Sequence, residues 1–202
     1  MENTRNNPSK GFLVGRSIYL RGHERADLDT NWYQWFNDAE ITRYMYQRVF
    51  PNTYEGQIQF YDRLHSDKDK IQLAIIHQRM EKLIGVISIS NIDWVNRSGE
   101  IAVVIGEKEY QGQKYGLEAM ALMMYHGFTK MNLNRIWAGQ HIGLKNWKEA
   151  LEKYLCFETE GRLRQAIFSD GEYFDVVIIG ALAKDFIKRL REKGNDPIAM
   201  LE

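Results

Sequence analysis

The sequence predicts an α/β fold in which helices cover both faces of a mixed β-sheet. The first observation behind this prediction is the β-branched segment 101–105, which alternates in side-chain type, is bounded by glycines and is typical of a buried strand. The second is the strongly helix-forming sequence that follows from Leu117 onward. The third is a pair of hairpin signals, the polar turn 78–82 and the Asp170-Gly171 turn. The whole chain gives the element order β-α-α-α-β-β-β-α-β-α-β-β.

The first third of the chain is predicted to form one strand and three helices. Residues 15–21 alternate apolar and polar side chains, as in a strand. Because aspartate favours helix starts, Asp27 or Asp29 is expected to cap one helix and Asp38 a second. The apolar stripes of these helices are Leu28, Trp32, Trp35 and Phe36, followed by Ile41, Tyr44 and Met45. Thr53 opens a third helix, which ends near a charged segment.

The remainder of the chain is predicted to consist mainly of strands, separated and followed by helices. Strands are expected at residues 71–77, 83–92, 99–106, 135–141, 163–169 and 172–181. Helices are expected from the glycine-containing loop to about residue 132, from a cap at Asn146, and over residues 184–193. Gly161 is expected to end the segment that precedes the final hairpin.

Length, charge and cysteine content limit the class of protein. A chain of 202 residues with 44% hydrophobic content supports one sizeable core, expected over residues 15–183, with a flexible tail over 1–14 and a C-terminal helix and tail over 184–202. The 27 basic and 27 acidic residues balance, so no global field favours nucleic acid or an anionic membrane. The single cysteine, Cys156, agrees with a reducing compartment, and no apolar run reaches membrane-spanning length. We therefore expect a cytoplasmic protein.

The segment from Gly99 to Ala119 carries the clearest functional signal. A strand, a short polar loop with Gly112 and Gly116, and a helix follow one another, so the unpaired N–H groups of the first helical turn face out of the loop. Such groups suit a phosphate or pyrophosphate. The residues leave an alternative equally open, since a strand-to-helix loop needs glycine for steric reasons alone. The spacing Gly-Gln-Lys-Tyr-Gly is neither a P-loop nor a dinucleotide-binding motif.

Residues 111–116, Gln-Gly-Gln-Lys-Tyr-Gly, resemble the acyl-CoA pyrophosphate loop of the GNAT N-acetyltransferase superfamily. The motif of that loop is Arg or Gln, two variable residues, Gly, one variable residue, and Gly or Ala. Lys114 stands at the central glycine position. The resemblance extends over residues 16–182 and is closest to the ribosomal-protein alanine, spermidine and nucleotide-sugar amine acetyltransferase branches. Further similar segments are residues 17–21, 35–38, 83–87, 133–136, 160–164 and 170–176.

The resemblance implies the GNAT fold and acetyl-CoA as the cofactor. In that fold, a mixed and largely antiparallel sheet of about seven strands carries helices on both faces. The cofactor lies where the strands expected at 99–106 and 135–141 splay apart. The residues implied to bind it are Val104, Ile105, Gln111, Gly112, Gln113, Lys114, Tyr115, Gly116, Leu117 and Asn146. Helix capping explains Asn146 equally well.

The chemistry implied by the resemblance is direct attack of an amine on the acetyl thioester, with a base for the amine and a proton donor for the thiolate. Glu100 is the candidate base, and a solvated charge at a strand end is the open alternative. Tyr154 is the candidate acid, because it is the phenol nearest to the tyrosine position of the family, which falls here on Glu152 or Leu151. If Tyr154 is instead a core residue, the thiolate takes its proton from water or from the amine. Cys156 is expected to pack in the core.

Acceptor binding is expected from the first two predicted helices and the hairpin over residues 71–92. The candidate substrate-binding residues are Trp35, Arg43, Tyr44 and Asp93, and Asp93 is also the second carboxylate candidate. Aromatic residues at helical spacing are more often core, so that alternative stays open. Arg43 and Arg48 favour a neutral or anionic acceptor, such as an amino sugar on a nucleotide, over a polyamine. The histidines lack the spacing of a metal site, so none is expected.

Several function classes remain open from the sequence. The first is an acetyl-CoA-dependent N-acetyltransferase that acts on a small-molecule amine, either an amino sugar or a polyamine. A protein N-terminal acetyltransferase of the ribosomal-protein type is an alternative acceptor class. The second is a catalytically weak CoA-binding module, suggested by Lys114 in the loop and by the displaced tyrosine. A structural protein that does not bind CoA is the third. Homodimers are common in the family, so a homodimer also stays open.

Overall fold

The computed structural model describes residues 11–45, 49–64 and 66–202, and its centre is one sheet of eight strands. The strands are β1 (Leu13–Val14), β2 (Ile18–Arg21), β3 (Ile71–His77), β4 (Lys82–Asp93), β5 (Ser98–Ile105), β6 (Arg135–His141), β7 (Glu158–Ser169) and β8 (Glu172–Leu182). Their order across the sheet is β1-β2-β3-β4-β5-β6-β8-β7. Neighbouring strands run antiparallel except β5 and β6, which run parallel. The mixed, largely antiparallel sheet of the sequence prediction is confirmed.

Strands β5 and β6 are hydrogen-bonded only at their first residues. Their registered pairs are Ser98 with Arg135, Gly99 with Ile136, and Glu100 with Trp137. Beyond Glu100, β5 pairs only with β4 as far as Ile105, and β6 pairs only with β8 as far as His141. The two strands therefore diverge after Glu100, and we call the space between them the β5–β6 gap.

Helices cover both faces of the sheet. In the described residues they are α1 (Trp32–Trp35), α2 (Tyr54–Leu64), α3 (Tyr115–Thr129), α4 (Lys145–Leu155) and α5 (Ala183–Glu192), with short 3-10 turns at residues 25–29, 108–110 and 199–201. One buried cluster joins the sheet to α3, α4 and α5, and a second joins the opposite face to α1 and α2. Within the described residues no helix is long and apolar enough to span a bilayer.

Several local predictions are confirmed by the structure. The strands expected at residues 71–77 and 135–141 have those bounds. The Thr53 hydroxyl oxygen accepts a hydrogen bond from the Gly56 N–H at 3.0 Å, as expected of a residue that opens α2. The loop helix α3 begins immediately after Lys114 and buries most of its residues, which explains its nearly continuous apolar sequence.

Other local predictions are wrong. Residues 1–10 of the predicted tail lie outside the described residues, but Leu13 and Val14 pair with β2, so the tail does not extend to residue 14. The helix expected after Asp27 is divided into a 3-10 turn and the short α1. Asp38 does accept hydrogen bonds from the N–H groups of Glu40 and Ile41, but only turns follow. Gly161 lies inside β7, where the register shifts.

Candidate active site

A cavity of about 750 Å³ opens at the β5–β6 gap and extends across the sheet toward α2. Residues that alternate onto one face of β4 and β5 form its floor: Val86, Ser88, Ser90, Glu100, Ala102 and Val104. On the far side of the gap it reaches Met120 of α3 and Trp147 and Leu151 of α4. The cavity therefore connects α2 on one face of the sheet with α3 and α4 on the other.

Glu100 lies at the point where β5 leaves β6. It is the last residue of β5 that is registered with β6, and its carboxylate accepts a hydrogen bond from the Asn91 side-chain amide, with an Nδ2–Oε2 distance of 2.8 Å. Asn91 has a left-handed backbone (φ 50°) within an irregularity of β4 between Ser90 and Asp93. A bulge of this kind redirects side chains. Here it brings an amide donor to a carboxylate that lines the cavity.

The loop before α3 turns through two left-handed residues, Gly112 (φ 74°) and Lys114 (φ 65°). Lys114 is the residue immediately before α3, so a lysine adopts the conformation for which glycine is usual. The next three N–H groups, of Tyr115, Gly116 and Leu117, have no acceptor among the residues that the structure describes. Free N–H groups at the start of a helix, together with the helix dipole, suit an anion.

The remaining residues around this turn fit the acyl-CoA that the loop motif implies. The Gln111 side chain donates from Nε2 to the Ile105 carbonyl at 2.9 Å, which ties the loop to the end of β5. A Cβ at Gly116 would make ordinary van der Waals contact with the Trp147 ring, 3.4 Å away, so this position has room for an alanine as well as a glycine. Leu117 is buried in the core, and the Tyr115 hydroxyl lies 3.3 Å from His77 Nε2. The side chains of Gln111, Tyr115 and Leu117 thus have partners within the protein, which leaves the backbone N–H groups of the turn for a ligand.

The comparisons with known proteins agree with this geometry. The Acetyltransferase (GNAT) domain profile matches residues 17–154. The chain belongs to the GNAT acetyltransferase family. It is 29% identical over 177 residues to an uncharacterized N-acetyltransferase p20 of Bacillus licheniformis, covering 86% of this chain and 97% of the relative. It is 28% identical to the spermidine N(1)-acetyltransferase of Escherichia coli K12, covering 80% and 83%.

The fold matches solved acetyltransferases as well. A spermidine N-acetyltransferase from Vibrio cholerae, solved in complex with CoA and spermine, superposes with a TM-score of 0.77 at 22% identity, covering 85% of this chain and 98% of that one. GNAT acetyltransferases use acetyl-CoA. The protein is therefore a GNAT-family N-acetyltransferase with acetyl-CoA as its cofactor.

The structure does not place Tyr154 of the acetyltransferase at the cavity. Its ring lies 4.8 Å from the Lys153 ammonium and 5.6 Å from the Lys114 ammonium, at the C-terminal end of α4. Lys153, with a smaller contribution from Lys114, lowers the pKa of the Tyr154 phenol. Cys156 ends α4 with a left-handed backbone (φ 59°), and burial raises the pKa of its thiol. Neither side chain lines the cavity, which argues against an acid role for Tyr154.

Three further predicted site residues have structural roles. Trp35 is buried, donates from Nε1 to Glu107 at 3.0 Å and covers Gly106, where a Cβ would lie 1.9 Å from the ring. Asp93 accepts hydrogen bonds from the N–H groups of Val95 and Asn96 and thus stabilises the β4–β5 turn. Asn146 lies inside α4, whose preceding residue is Leu144, so it is not the cap. None of the three lines the cavity.

The predicted acceptor residues Arg43 and Tyr44 differ in their position relative to the cavity. Tyr44 lines the cavity, and its ring lies 5.0 Å from the ring of His141. Arg43 lies outside the cavity lining, with its guanidinium carbon 5.4 Å from the Tyr44 ring centroid. Arg48 lies outside the described residues. Of the aromatic and arginine candidates, the structure therefore brings Tyr44 to the cavity.

Sequence reasoning missed most of the polar residues that line the cavity of the acetyltransferase, among them Gln57, Arg63, Lys70 and Gln140. Gln57 and Arg63 belong to α2 and each lies three residues from Phe60, so helical spacing could have indicated their proximity to that ring. Gln140 has 7% exposure, and its Oε1 has no hydrogen-bond partner in the described residues. Lys70 immediately precedes β3, and no local pattern identifies it, because its role depends on how β3 lies beside β4.

Proposed function

We propose that this enzyme transfers the acetyl group of acetyl-CoA to a primary amine of a small molecule, with Glu100 as the base. The observation that carries the proposal is the position of the Glu100 carboxylate at the β5–β6 gap, oriented by Asn91 and lining the cavity. Acetyl-CoA supplies an acetyl thioester, whose acyl carbon bonds to the amine nitrogen as the thiolate leaves. An attacking amine must be neutral, so a nearby carboxylate that takes its proton assists the reaction.

The proposed roles of the remaining residues follow from their contacts. The first-turn N–H groups of α3 hold the cofactor pyrophosphate, as the GNAT loop motif implies. Val103 and Val104 of β5 line the gap beside the acyl-bearing arm. No phenol of α4 lies at the cavity. The thiolate therefore takes its proton either from water or from the amine nitrogen that is acetylated.

The test is thiol release from acetyl-CoA with a panel of amine acceptors: amino sugars, amino-sugar nucleotides, polyamines and peptides with free N-termini. We expect turnover with a small-molecule amine, and a kcat about 100-fold lower for Glu100→Gln with an unchanged Kd for CoA, as loss of a general base costs about 10²–10⁴-fold. Glu172→Gln, on the exposed β7–β8 turn, is the matched control. Unchanged kcat in Glu100→Gln would disprove the assignment of the base.

A second candidate function is a CoA-binding module with little catalysis. Lys114 at the central glycine position of the loop and the distance of Tyr154 from the cavity favour it. It predicts CoA binding in calorimetry with no thiol release for any member of the panel.

Selective turnover of peptide N-termini would instead support the alternative acceptor class, in which the enzyme acetylates protein N-termini.

A further inference from the structure

On the basis of the proposed acetyl transfer, we infer that the acceptor amine carries an oxyanion, a phosphate or a carboxylate group. Gln57, Arg63 and Lys70 bind this group at the α2 end of the cavity, while the amine lies at Glu100.

Lys70 is a half-buried cation without an ion-pair partner among the described residues. Its ammonium lies 4.8 Å from the Phe60 ring centroid, and both residues line the cavity. Burial lowers the pKa of Lys70, and the more distant Asp67 carboxylate only partly opposes this effect. A partly desolvated ammonium is costly unless an anion compensates it, and a bound oxyanion would do so.

Other lysines around the sheet do have carboxylate partners. Lys108 lies 2.9 Å from an Asp38 carboxylate oxygen, Lys148 lies 2.6 Å from Glu152, and Lys82 lies 2.8 Å from Glu109. These lysines are on the surface, where pairing contributes little to stability. Lys70 differs because it lines the cavity and has no such carboxylate partner among the described residues.

The cavity face of α2 supplies two further donors. Gly56, Gln57, Phe60 and Arg63 follow helical spacing and all line the cavity. Gln57 is 3% exposed, and its Oε1 accepts from Asn52 Nδ2 at 3.0 Å. Its Nε2 is buried and has no acceptor in the described part of the chain. A buried donor without an acceptor, on a residue that lines the same cavity as two cations, indicates an oxygen-rich ligand group.

The charges of the cavity are separated along its length. Among its described lining residues, Glu100 is the carboxylate, whereas Arg63 and Lys70 are the cations. A polyamine requires several anionic partners, and this lining offers one. An amine with an oxyanion instead matches both ends, with the nitrogen at Glu100 and the oxyanion at Lys70.

The sheet register fixes the separation between the backbones of Lys70 and Glu100. Glu100 is registered with Ser90, and Ile71 with Ile89, so Lys70 adjoins Ser90 on the opposite side from Glu100. Two interstrand spacings place the backbones of Lys70 and Glu100 about 10 Å apart. Both residues line the same cavity, one on each side of β4.

The test is a thiol-release assay on the full chain with four acceptors. Glucosamine 6-phosphate and UDP-glucosamine carry phosphate, and glucosamine and spermidine do not. We expect kcat/KM for the phosphorylated amines to exceed that for glucosamine and for spermidine by at least tenfold. In Lys70→Met, KM for a phosphorylated amine should rise at least tenfold, with kcat changed less than threefold and glucosamine unaffected. A carboxylate-bearing amine, 6-aminohexanoate, distinguishes the two oxyanions.

Control variants separate a role in binding from a role in folding. Lys70→Arg should keep most of the preference, and Arg63→Gln, at an exposed position, should lower it if Lys70→Met does not fold. Lys68→Gln removes a nearby exposed lysine that does not line the cavity and should change nothing.

A binding measurement distinguishes failure of this inference from failure of the proposed reaction. Calorimetry of the same amines with the CoA-saturated protein requires no turnover. Preferential binding of the oxyanion-bearing amines without thiol release would refute the proposed reaction and retain the oxyanion site. Equal or absent binding of the paired amines, or a preference for spermidine, would overturn the oxyanion site whether or not acetyl transfer occurs.

Discussion

Asn91 and Glu100 form a hydrogen bond across two neighbouring strands, with 2.8 Å between Asn91 Nδ2 and Glu100 Oε2. The donor has a left-handed backbone, which a β4 irregularity imposes, and the acceptor is the residue at which β5 and β6 separate. Asparagine tolerates this conformation better than most residues, and its amide is short enough to reach the next strand. The bulge therefore orients the proposed base.

Replacing Asn91 by glycine should reduce catalysis without unfolding the enzyme. Glycine keeps the left-handed backbone and removes the amide donor, so Asn91→Gly should lower kcat about tenfold, since a hydrogen bond to a charged group contributes about 1.5–3 kcal/mol. KM for acetyl-CoA should stay within twofold. Asn132→Gly, at another left-handed asparagine (φ 57°) outside the cavity lining, is the control. An equal loss of kcat in both variants would contradict the positioning role.

Lys114 should have two opposing effects at the cofactor loop. Its left-handed backbone lowers the stability of the fold, and its ammonium strengthens CoA binding. A left-handed non-glycine residue costs about 1–2 kcal/mol, so Lys114→Gly should raise stability by about 1 kcal/mol, or Tm by about 2–4 °C. Loss of the ammonium should weaken CoA binding several-fold. Lys114→Gln should weaken CoA binding equally but leave Tm unchanged, because it keeps the Cβ. Scanning calorimetry and CoA titration measure the two effects, and tighter CoA binding in Lys114→Gly would show that the lysine hinders the loop.

Tyr154→Phe should leave kcat within twofold of the native value. The phenol lies beside Lys153 and Lys114 at the end of α4 and does not line the cavity, so its proton is not positioned for the thiolate. Steady-state thiol release measures this, with Tyr173→Phe on the exposed β7–β8 hairpin as the control. A loss of 50-fold or more confined to Tyr154→Phe would restore the tyrosine to the role of general acid.

Local sequence patterns predicted the parts of the fold that depend on local physics. Strands β3 and β6 were predictable because apolar side chains alternate between clear boundaries, and α3 because a helix-forming segment follows a glycine-containing loop. The helix expected after Asp38 does not form, although the Asp38 carboxylate makes the expected N–H contacts. A cap stabilises a first turn but does not by itself propagate a helix, and residues 39–44 form turns.

The cavity was less predictable because its residues come from distant segments. Glu100 followed from its place beside the loop strand, but its partner Asn91 depends on a bulge in β4. Trp35 has the aromatic character of a ligand-binding residue and is nevertheless fixed in the core by Gly106 and Glu107. Such roles depend on which strands become neighbours, and spacing along one segment does not encode that.

The last prediction concerns a buried polar cluster behind the cavity. Asp27 accepts two hydrogen bonds from Arg21, each 2.8 Å, and one from the Glu24 N–H at 2.9 Å. His23 stacks on Trp32 with 4.0 Å between ring centroids, and Gln72, which lines the cavity, lies 3.3 Å from His23 Nε2. Gln72 thus joins this buried cluster to the wall of the cavity.

The two titratable groups of this cluster weaken the fold in acid over different pH ranges. Burial opposes ionisation of Asp27, but the hydrogen bonds from Arg21 and from the Glu24 N–H outweigh it and hold the pKa of Asp27 far below its ordinary value. Because an unfolded aspartate titrates near about pH 3.9, this contribution is lost as the pH falls below about 4. Burial lowers the pKa of His23, so the unfolded chain binds the extra proton first, and stability falls below about pH 6.5.

Urea unfolding between pH 8 and pH 4 tests this assignment. The free energy of unfolding should decrease between about pH 6.5 and pH 5 in the native protein and decrease less in His23→Gln, by up to about 1.4 kcal/mol for each unit of pKa difference. Some dependence should remain in the variant, because burial also lowers the pKa values of His126 and His141. His126→Gln is the matched control. It should remove a smaller part of the slope than His23→Gln, because His126 is less buried than His23. Identical slopes in the native protein and His23→Gln would show that His23 protonates without cost in the fold, in conflict with its position between Trp32 and Asp27.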